Sequence, residues 1–278
     1  MWPPNKVRIL VYHSLCSTNQ DRGKDEWKEW DVSSKAFETQ MRLLSKKAYN
    51  VLSVDETLNI LKTGKRFPPR AVCITFDDGY RNNYTYAFPI LLRHGLRATF
   101  YLVTGYIGAH RLFAWIKTHD AINAVNAQNP SPNQPLDWDE VSEMMSHGME
   151  FASHSHTHPN FSDIDLSTVE WEIIESRRQL AINLSSYSNT FACPFGVHGP
   201  GVERLKSYLK ATDFRGAFLG KYGAAGPKTD CFDLPRISIY GGDSINVFKH
   251  KIDGAYDWIS SFYYYWQRIW ILVYRFAN

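Results

Sequence analysis

The chain has only four cysteines in 278 residues, Cys16, Cys73, Cys193 and Cys231, all far apart in sequence. With no CxxC pair among them, neither a zinc knuckle nor a dithiol redox motif is available, and buried thiols in a reducing compartment are the simplest expectation. An excess of one charge is lacking too. Thirty-one Lys and Arg stand against 28 Asp and Glu, a formal net charge of +3 with no basic stripe, so no nucleic-acid partner is expected. The opening stretch MWPPNKVRILVYHS has an apolar run too brief for a signal-peptide core and no small-residue cleavage site. The expectation is a cytoplasmic enzyme, with a place at the inner membrane face left open. No internal repeat is evident.

What is present is apolar sequence in the right amount and the right pattern. A hydrophobic content of 44% is ample for a core. Short apolar runs at 8–12, 50–54, 71–76, 98–103, 149–153, 190–193 and 216–219 read as buried strands, and they alternate with longer helical patterns. That alternation predicts an α/β fold around a largely parallel sheet, and seven strands fit a barrel better than an open sheet. Helices are predicted over 34–47, where Phe37, Met41, Leu43 and Leu44 mark an apolar face, and over 166–184, opened by Ser167 as cap. The segment 126–135, NAQNPSPNQP, reads as an exposed excursion. Residues 1–257 are taken as one domain and 258–278 as a separate aromatic tail.

In parallel α/β folds the loops after the strands carry the chemistry, because side chains from several strands converge there. Two such places stand out. In AVCITFDDGY, residues 71–80, an apolar strand ends in adjacent carboxylates and a glycine. Neighbouring residues at a strand end diverge, so one Asp can bind a metal while the other faces substrate, and Gly79 permits the tight turn. An Asx turn with a helix cap is the ordinary alternative for such a pair alone. In EFASHSHTHP, residues 150–159, a second strand runs into His154, His156 and His158. Imidazoles four residues apart can grip one cation, with His156 pointing elsewhere, and a carboxylate oxygen would complete a set suited to zinc or a similar divalent ion. A solvated His-rich loop is the alternative.

Together, TFDDG and His154-Ser155-His156-Thr157-His158-Pro159 resemble the motifs of the polysaccharide deacetylase family, also known as the NodB-homology or carbohydrate esterase 4 group. Weaker similarity runs from about residue 7 to residue 236, through RILVYHSL, YAFPILLRHGLRATFYLVTGYIG and ACPFG. The resemblance implies a distorted (β/α)7-type barrel and a metal-dependent hydrolase that removes N-acetyl groups from an N-acetylhexosamine-containing glycan. It also implies roles: Asp77 as general base, Asp78, His154 and His158 as metal ligands, and Ser155 as a residue that holds the loop. The metal would be zinc, with cobalt, nickel or manganese as substitutes. A backbone N–H near Phe195 would stabilise the oxyanion, and Tyr80 is placed with it on the substrate side.

Two family features are missing from their usual places. The position of the arginine that orients the base holds Ala192 in FACPFG, and Arg236 in DLPRISI is the substitute expected here, since a guanidinium can hold a carboxylate with two hydrogen bonds; a structural ion pair is the competing reading. The motif carrying the acid histidine is not recognisable either. His13, at the end of the first strand, is expected to serve, ahead of His250 in a segment that reads as exposed helix, with a hydrogen-bonded core histidine as the competing reading; His198 is a lesser candidate for substrate contact. The tail from Trp258 combines aromatics with Arg268 and Arg275, which suits a membrane interface; a packing helix or dimer contact is the plainer alternative. Two rival functions stay open at this point: hydrolysis of a non-sugar linear or cyclic amide on the same fold, and glycan binding by an inactive relative.

Overall fold

A computed structural model describes residues 5–17, 28–46, 49–109, 111–116, 133–197 and 201–258. In chain order its strands are β1 (Val7–Tyr12), β2 (Leu15–Cys16), β3 (Val32–Ser33), β4 (Asn50–Leu52), β5 (Ala71–Phe76), β6 (Thr99–Leu102), β7 (Glu150–Ser153), β8 (Thr190–Ala192), β9 (Gly216–Phe218) and β10 (Ile237–Ser238). The helices are α1 (Ser34–Lys46), α2 (Val54–Thr63), α3 (Phe88–Arg93), α4 (Trp138–Ser146), α5 (Leu166–Asn183), α6 (Gly201–Ala211) and α7 (Ile245–Asp253). A π-helical turn, Asn83–Ala87, leads into α3. Residues 259–278, His198 and positions 126–132 of the 126–135 excursion lie outside the described residues; Pro135, at its end, bridges to Tyr80. Among the described residues no helix is long and apolar enough to cross a membrane.

Every pairing in the main sheet is parallel, in the order β10-β1-β5-β6-β7-β8-β9, with β4 beside the first half of β5. The sheet therefore has eight strands where seven were expected. The extra one, β10, is two residues long and too short to show a period. The sheet curls into the predicted barrel, but β9 and β10 do not meet in a ladder. The seam is spanned by the irregular segment 219–236, whose backbone bonds Arg236 N to Lys221 O at 2.9 Å and Ala225 to Val7 in both directions at 2.9 Å.

Side-chain alternation sorts the two layers of the core. On β1 and β5 the even residues Leu10, Tyr12, Val72, Ile74 and Phe76 face outward into one cluster with Phe37, Met41 and Leu44 of α1. The odd residues Val7, Ile9, Ala71 and Cys73 face the lumen with Tyr101, Ala152, Ala192 and Phe218. Val54 and Leu58 of α2, together with Phe67, pack into the same cluster as the strand N-termini and close the barrel floor. One step past the strand ends, the same alternation aims residue 13 after β1, residue 77 after β5 and residue 154 after β7 into the open mouth.

Caps explain several boundaries. Strand 50–54 stops at Leu52 because Ser53 caps α2 in a box with Glu56: the Glu56 N–H donates to Ser53 Oγ at 3.1 Å and the Ser53 N–H to Glu56 Oε2 at 2.7 Å. The cap of α5 is Asp165, not Ser167. Its extended backbone places a carboxylate to accept from Thr168 N at 2.7 Å, and Ser167, already the second residue of the helix, donates its hydroxyl to that carboxylate.

Candidate active site

The strand ends deliver their side chains to one cleft of about 820 Å³, lined by His13, Asp77, Asp78, Tyr80, His154, His158, Phe195 and Arg236 among others. That volume lies within the range of small-molecule sites, about 300–1,000 Å³. Asp77 continues the alternation of β5, and its N–H still donates to Tyr12 O at 2.9 Å. Then the chain turns sharply. Asp78 has φ +74° and Gly79 φ +85°, a conformation that favours glycine at the second position, where a Cβ would also press on Leu102 Cδ2 at 2.9 Å. The turn sends the two carboxylates to different partners.

Asp77 belongs to Arg236. Both guanidinium Nη atoms donate to its two carboxylate oxygens at 2.6 Å, and the guanidinium lies over the Phe218 ring at 4.8 Å. Arg236 is 13% exposed and Asp77 3%, so the pair is screened from water on nearly all sides. Burial pushes the Asp77 carboxyl up, but the Arg236 charge, helped by His154 and the Arg236 hydrogen bonds, outweighs it and holds the group below the ordinary carboxylate range. The arginine comes from the barrel seam and not from the segment around Ala192.

Asp78 belongs to the histidines. Its Oδ1 lies 3.4 Å from His154 Nε2 and 3.3 Å from His158 Nε2, and the three donor atoms fall within 4.8 Å of one another. Bonds of about 2.0–2.1 Å to a tetrahedral zinc set neighbouring donors about 3.3–3.4 Å apart, which the two carboxylate–imidazole spacings match. The tautomer fits as well. Nδ1–H of His154 donates to Ala192 O at 2.8 Å, which leaves the Nε2 lone pair turned toward the cluster. Two acceptor atoms facing each other repel unless a proton or a metal cation sits between them. Burial works against a protonated His154, yet Asp77 and Asp78 hold its imidazole above the ordinary value, so the position attracts positive charge. The donor set therefore fits a divalent ion.

The connecting loop does what its sequence suggested. Ser155 Oγ accepts from His158 N at 3.0 Å and holds the turn, while His156 points away, its Nδ1 3.1 Å from Thr104 Oγ1 and its ring edge-on to Trp171. His13 reaches the cleft from β1. Its Nδ1 is buried with no hydrogen-bond partner among the described residues, its ring packs on Trp30 at 4.3 Å, and Trp30 packs in turn on Tyr240 at 4.7 Å. Burial holds the His13 imidazole below its ordinary value, with Asp78 and Asp77 pulling the other way. Phe195, at φ +58° and with 53% of its surface exposed, stands at the rim against His158. Tyr80 is buried, and its hydroxyl accepts from Trp115 Nε1 at 2.7 Å. His250 is exposed on α7 and does not line the cleft.

Trp115 and Trp30 were not anticipated. Trp115 lies on the His158 ring at 4.3 Å and Trp30 on the His13 ring at 4.3 Å, so aromatic faces line the cleft beside both histidines. No motif surrounds either tryptophan in the sequence, and their positions follow only from the fold.

A carboxylate kept ionised beside three donors gathered for one cation is the equipment of a metal-dependent hydrolase. Comparison with known proteins narrows the class. A family model described as polysaccharide deacetylase matches residues 64–214, and the chain belongs to that family. The poly-beta-1,6-N-acetyl-D-glucosamine N-deacetylase of Staphylococcus aureus (strain MRSA252) is 28% identical over 273 residues, covering 90% of this chain and 85% of that protein. Among solved structures, the deacetylase PplD of Streptococcus pyogenes in complex with acetate superposes with a TM-score of 0.71 at 21% identity, over 90% of this chain and 99% of that one. IcaB from Ammonifex degensii gives a TM-score of 0.71 at 18% identity, over 90% and 98%. These likenesses agree with the barrel drawn above.

Proposed function

We propose that the chain removes acetyl groups from N-acetylglucosamine units of a glycan of the β-1,6-linked kind, and that zinc, or cobalt, nickel or manganese in its place, is the ion held by Asp78, His154 and His158. The observation that carries the chemistry is the division of labour between adjacent carboxylates: Asp77 fully engaged by Arg236, Asp78 by the two imidazoles. The sugar follows from the relative in Staphylococcus aureus and from the aromatic faces lining the cleft, which suit the apolar faces of pyranose rings.

A divalent ion at the cluster would polarise the acetyl carbonyl and acidify a water. Asp77 takes the proton from the attacking water, and Arg236 keeps that carboxylate ionised and aimed. A backbone N–H near Phe195, at the rim, is assigned to the developing oxyanion. His13 gives a proton to the departing amine as the C–N bond breaks. Water oxygen ends on acetate, and the sugar is left with a free amine.

The reading is tested by incubating the metal-loaded protein with β-1,6-linked N-acetylglucosamine oligomers and measuring acetate and new primary amines in equal amounts. Binding of the oligomers without acetate release would make the protein a glycan-binding relative and sink the proposal. Ammonia or a carboxylate released only from non-sugar amides would sink the substrate.

Arg236→Met tests the orienting pair. Removing an opposite charge in contact lets a carboxyl pKa rise by about one to three pH units. The Asp77 base would then be protonated at higher pH, so the acidic limb of the kcat/KM profile is expected to move up, with activity lost first at the low end of the pH range. A profile that only scales down, with its acidic limb unmoved, would show that Arg236 does not set the ionisation of Asp77.

A further inference from the structure

We propose that Glu172, on the inner face of α5, is a positioning residue that sets the affinity of the cation cluster by holding the loop between His154 and His158. The proposal rests on the reading of Asp78, His154 and His158 as the metal site. Glu172 touches none of their donor atoms.

The loop needs holding because its own geometry is unfavourable. Ser155 and His158 sit at φ +66° and +65°, in the left-handed region where side chains other than glycine are strained. No helix or ladder stabilises the intervening peptides. On the lumen side, the loop is tied to the segment after β6: Thr104 N donates to Ser155 O at 3.2 Å and Gly105 N to His156 O at 2.8 Å. That contact is close enough that a Cβ on Gly105 would lie 2.6 Å from His156 O. On the outer side the tie is Glu172, which, apart from Ser155 within the loop itself, is the one side chain among the described residues that accepts from this loop's amides. Its Oε2 accepts from His156 N and Thr157 N, both at 2.8 Å, and its Oε1 accepts from the Thr157 hydroxyl.

Three donors on one carboxylate, with Glu172 only 2% exposed, make a built arrangement and not a surface contact. One turn further along the same face of α5, Ser176 Oγ meets Ser153 Oγ at 2.7 Å, which fixes the helix against the strand that delivers His154. The helix therefore carries the register of β7 to the peptides that aim His158. Without the carboxylate, two amides lose their acceptor in a half-buried setting, and the 156–157 peptide is free to turn toward another partner. His158 is the next residue, so its ring would lose its aim at Asp78.

The experiment measures the zinc dissociation constant of metal-stripped protein by competition with a chromophoric chelator, with circular dichroism and thermal unfolding of the stripped proteins as controls for folding. Partners that orient a ligand typically change metal affinity about 10–100-fold, and that loss is expected for Glu172→Ala. Glu172→Gln can still accept both amides on its carbonyl oxygen and offer its NH₂ to Thr157 Oγ1, so it is expected to restore most of the affinity. Thr157→Val removes one exposed hydroxyl and is expected to weaken binding by a factor of about five, the worth of one hydrogen bond. Zinc binding by Glu172→Ala within twofold of the parent overturns the proposal, as does a Glu172→Gln protein as weak as Glu172→Ala. If Glu172→Ala does not fold, unchanged affinity in Thr157→Val overturns it. A parent protein that takes up no zinc overturns the metal reading itself, a result distinct from the others.

Discussion

Asp77→Asn is expected to lower kcat for acetate release by about 10³-fold, within the range of about 10²–10⁴ typical of a positioned general base, while leaving zinc uptake unchanged. Asparagine keeps the shape and can accept a hydrogen bond from Arg236, but it cannot take a proton from water. The two roles separate because the neighbouring carboxylate, Asp78, makes the shorter contacts to both imidazoles, while Asp77 lies 3.9 Å from His154 Nε2 alone. The substitution also leaves the Arg236 guanidinium largely buried without its counter-charge, and breaking such a pair costs about 3–5 kcal/mol of stability. The rate must therefore be taken per folded molecule, with thermal unfolding recorded alongside. Loss of the acidic limb from the pH profile is the signature expected of this position, and loss of the basic limb that of His13→Gln. A rate within tenfold of the parent would remove Asp77 from the mechanism.

The second large effect concerns the cation. Chelation is expected to reduce turnover by about 10³-fold or more, because without a metal the water pKa stays near 15.7, where a bound divalent ion can bring it to about 7. Activity should return on adding zinc to the stripped parent. His154→Ala should not recover at the same zinc concentration. The reason is local: the imidazole is buried at 3% exposure and fixed by the bond from Nδ1 to Ala192 O, so its loss leaves two of the three gathered donors. Metal content after dialysis, read by atomic absorption, separates lost binding from lost chemistry. Full activity in the presence of excess chelator would end the metal reading.

Much of this site was legible because strands announce it. The mostly apolar strands ending at Phe76 and Ser153 each run straight into a cluster of Asp or His, and alternation alone places Asp77, His154 and His13 on the lumen side. Arg236 was reached by chemistry, from the need of a buried carboxylate for a forked donor, although nothing local marks it: it precedes a two-residue strand and arrives across the seam. Glu172 was illegible for a different reason. It stands within EWEIIESRRQ, where charged and apolar residues are mixed and a glutamate reads as solvated helix surface. Its partners are backbone amides some 15 residues away, and backbone groups leave no trace in a sequence. The tryptophans at 30 and 115 were invisible because stacking depends on where loops cross the mouth. The cap of α5 was misplaced because Ser167 and Asp165 are both good caps, and only the extended backbone at Asp165 decides between them.

The left-handed residues around the mouth have a consequence for which sequences can occupy this site at all. Asp78, Ser155, His158 and Phe195 all adopt positive φ, and such conformations cost of order 1–3 kcal/mol each where the residue is not glycine. Asp and His belong to the few side-chain types that are enriched there. At positions 78 and 158, then, one residue answers two demands that have nothing to do with each other, a donor for a cation and a tolerance for an unusual backbone. Exchanging ligands is consequently narrower than coordination chemistry suggests. Cysteine at 158 would offer a good zinc donor on a backbone it tolerates less well, and glycine at either place would relax the turn and leave nothing to bind with. Drift toward a different metal would have to begin at His154, the one ligand of the three whose φ is not positive.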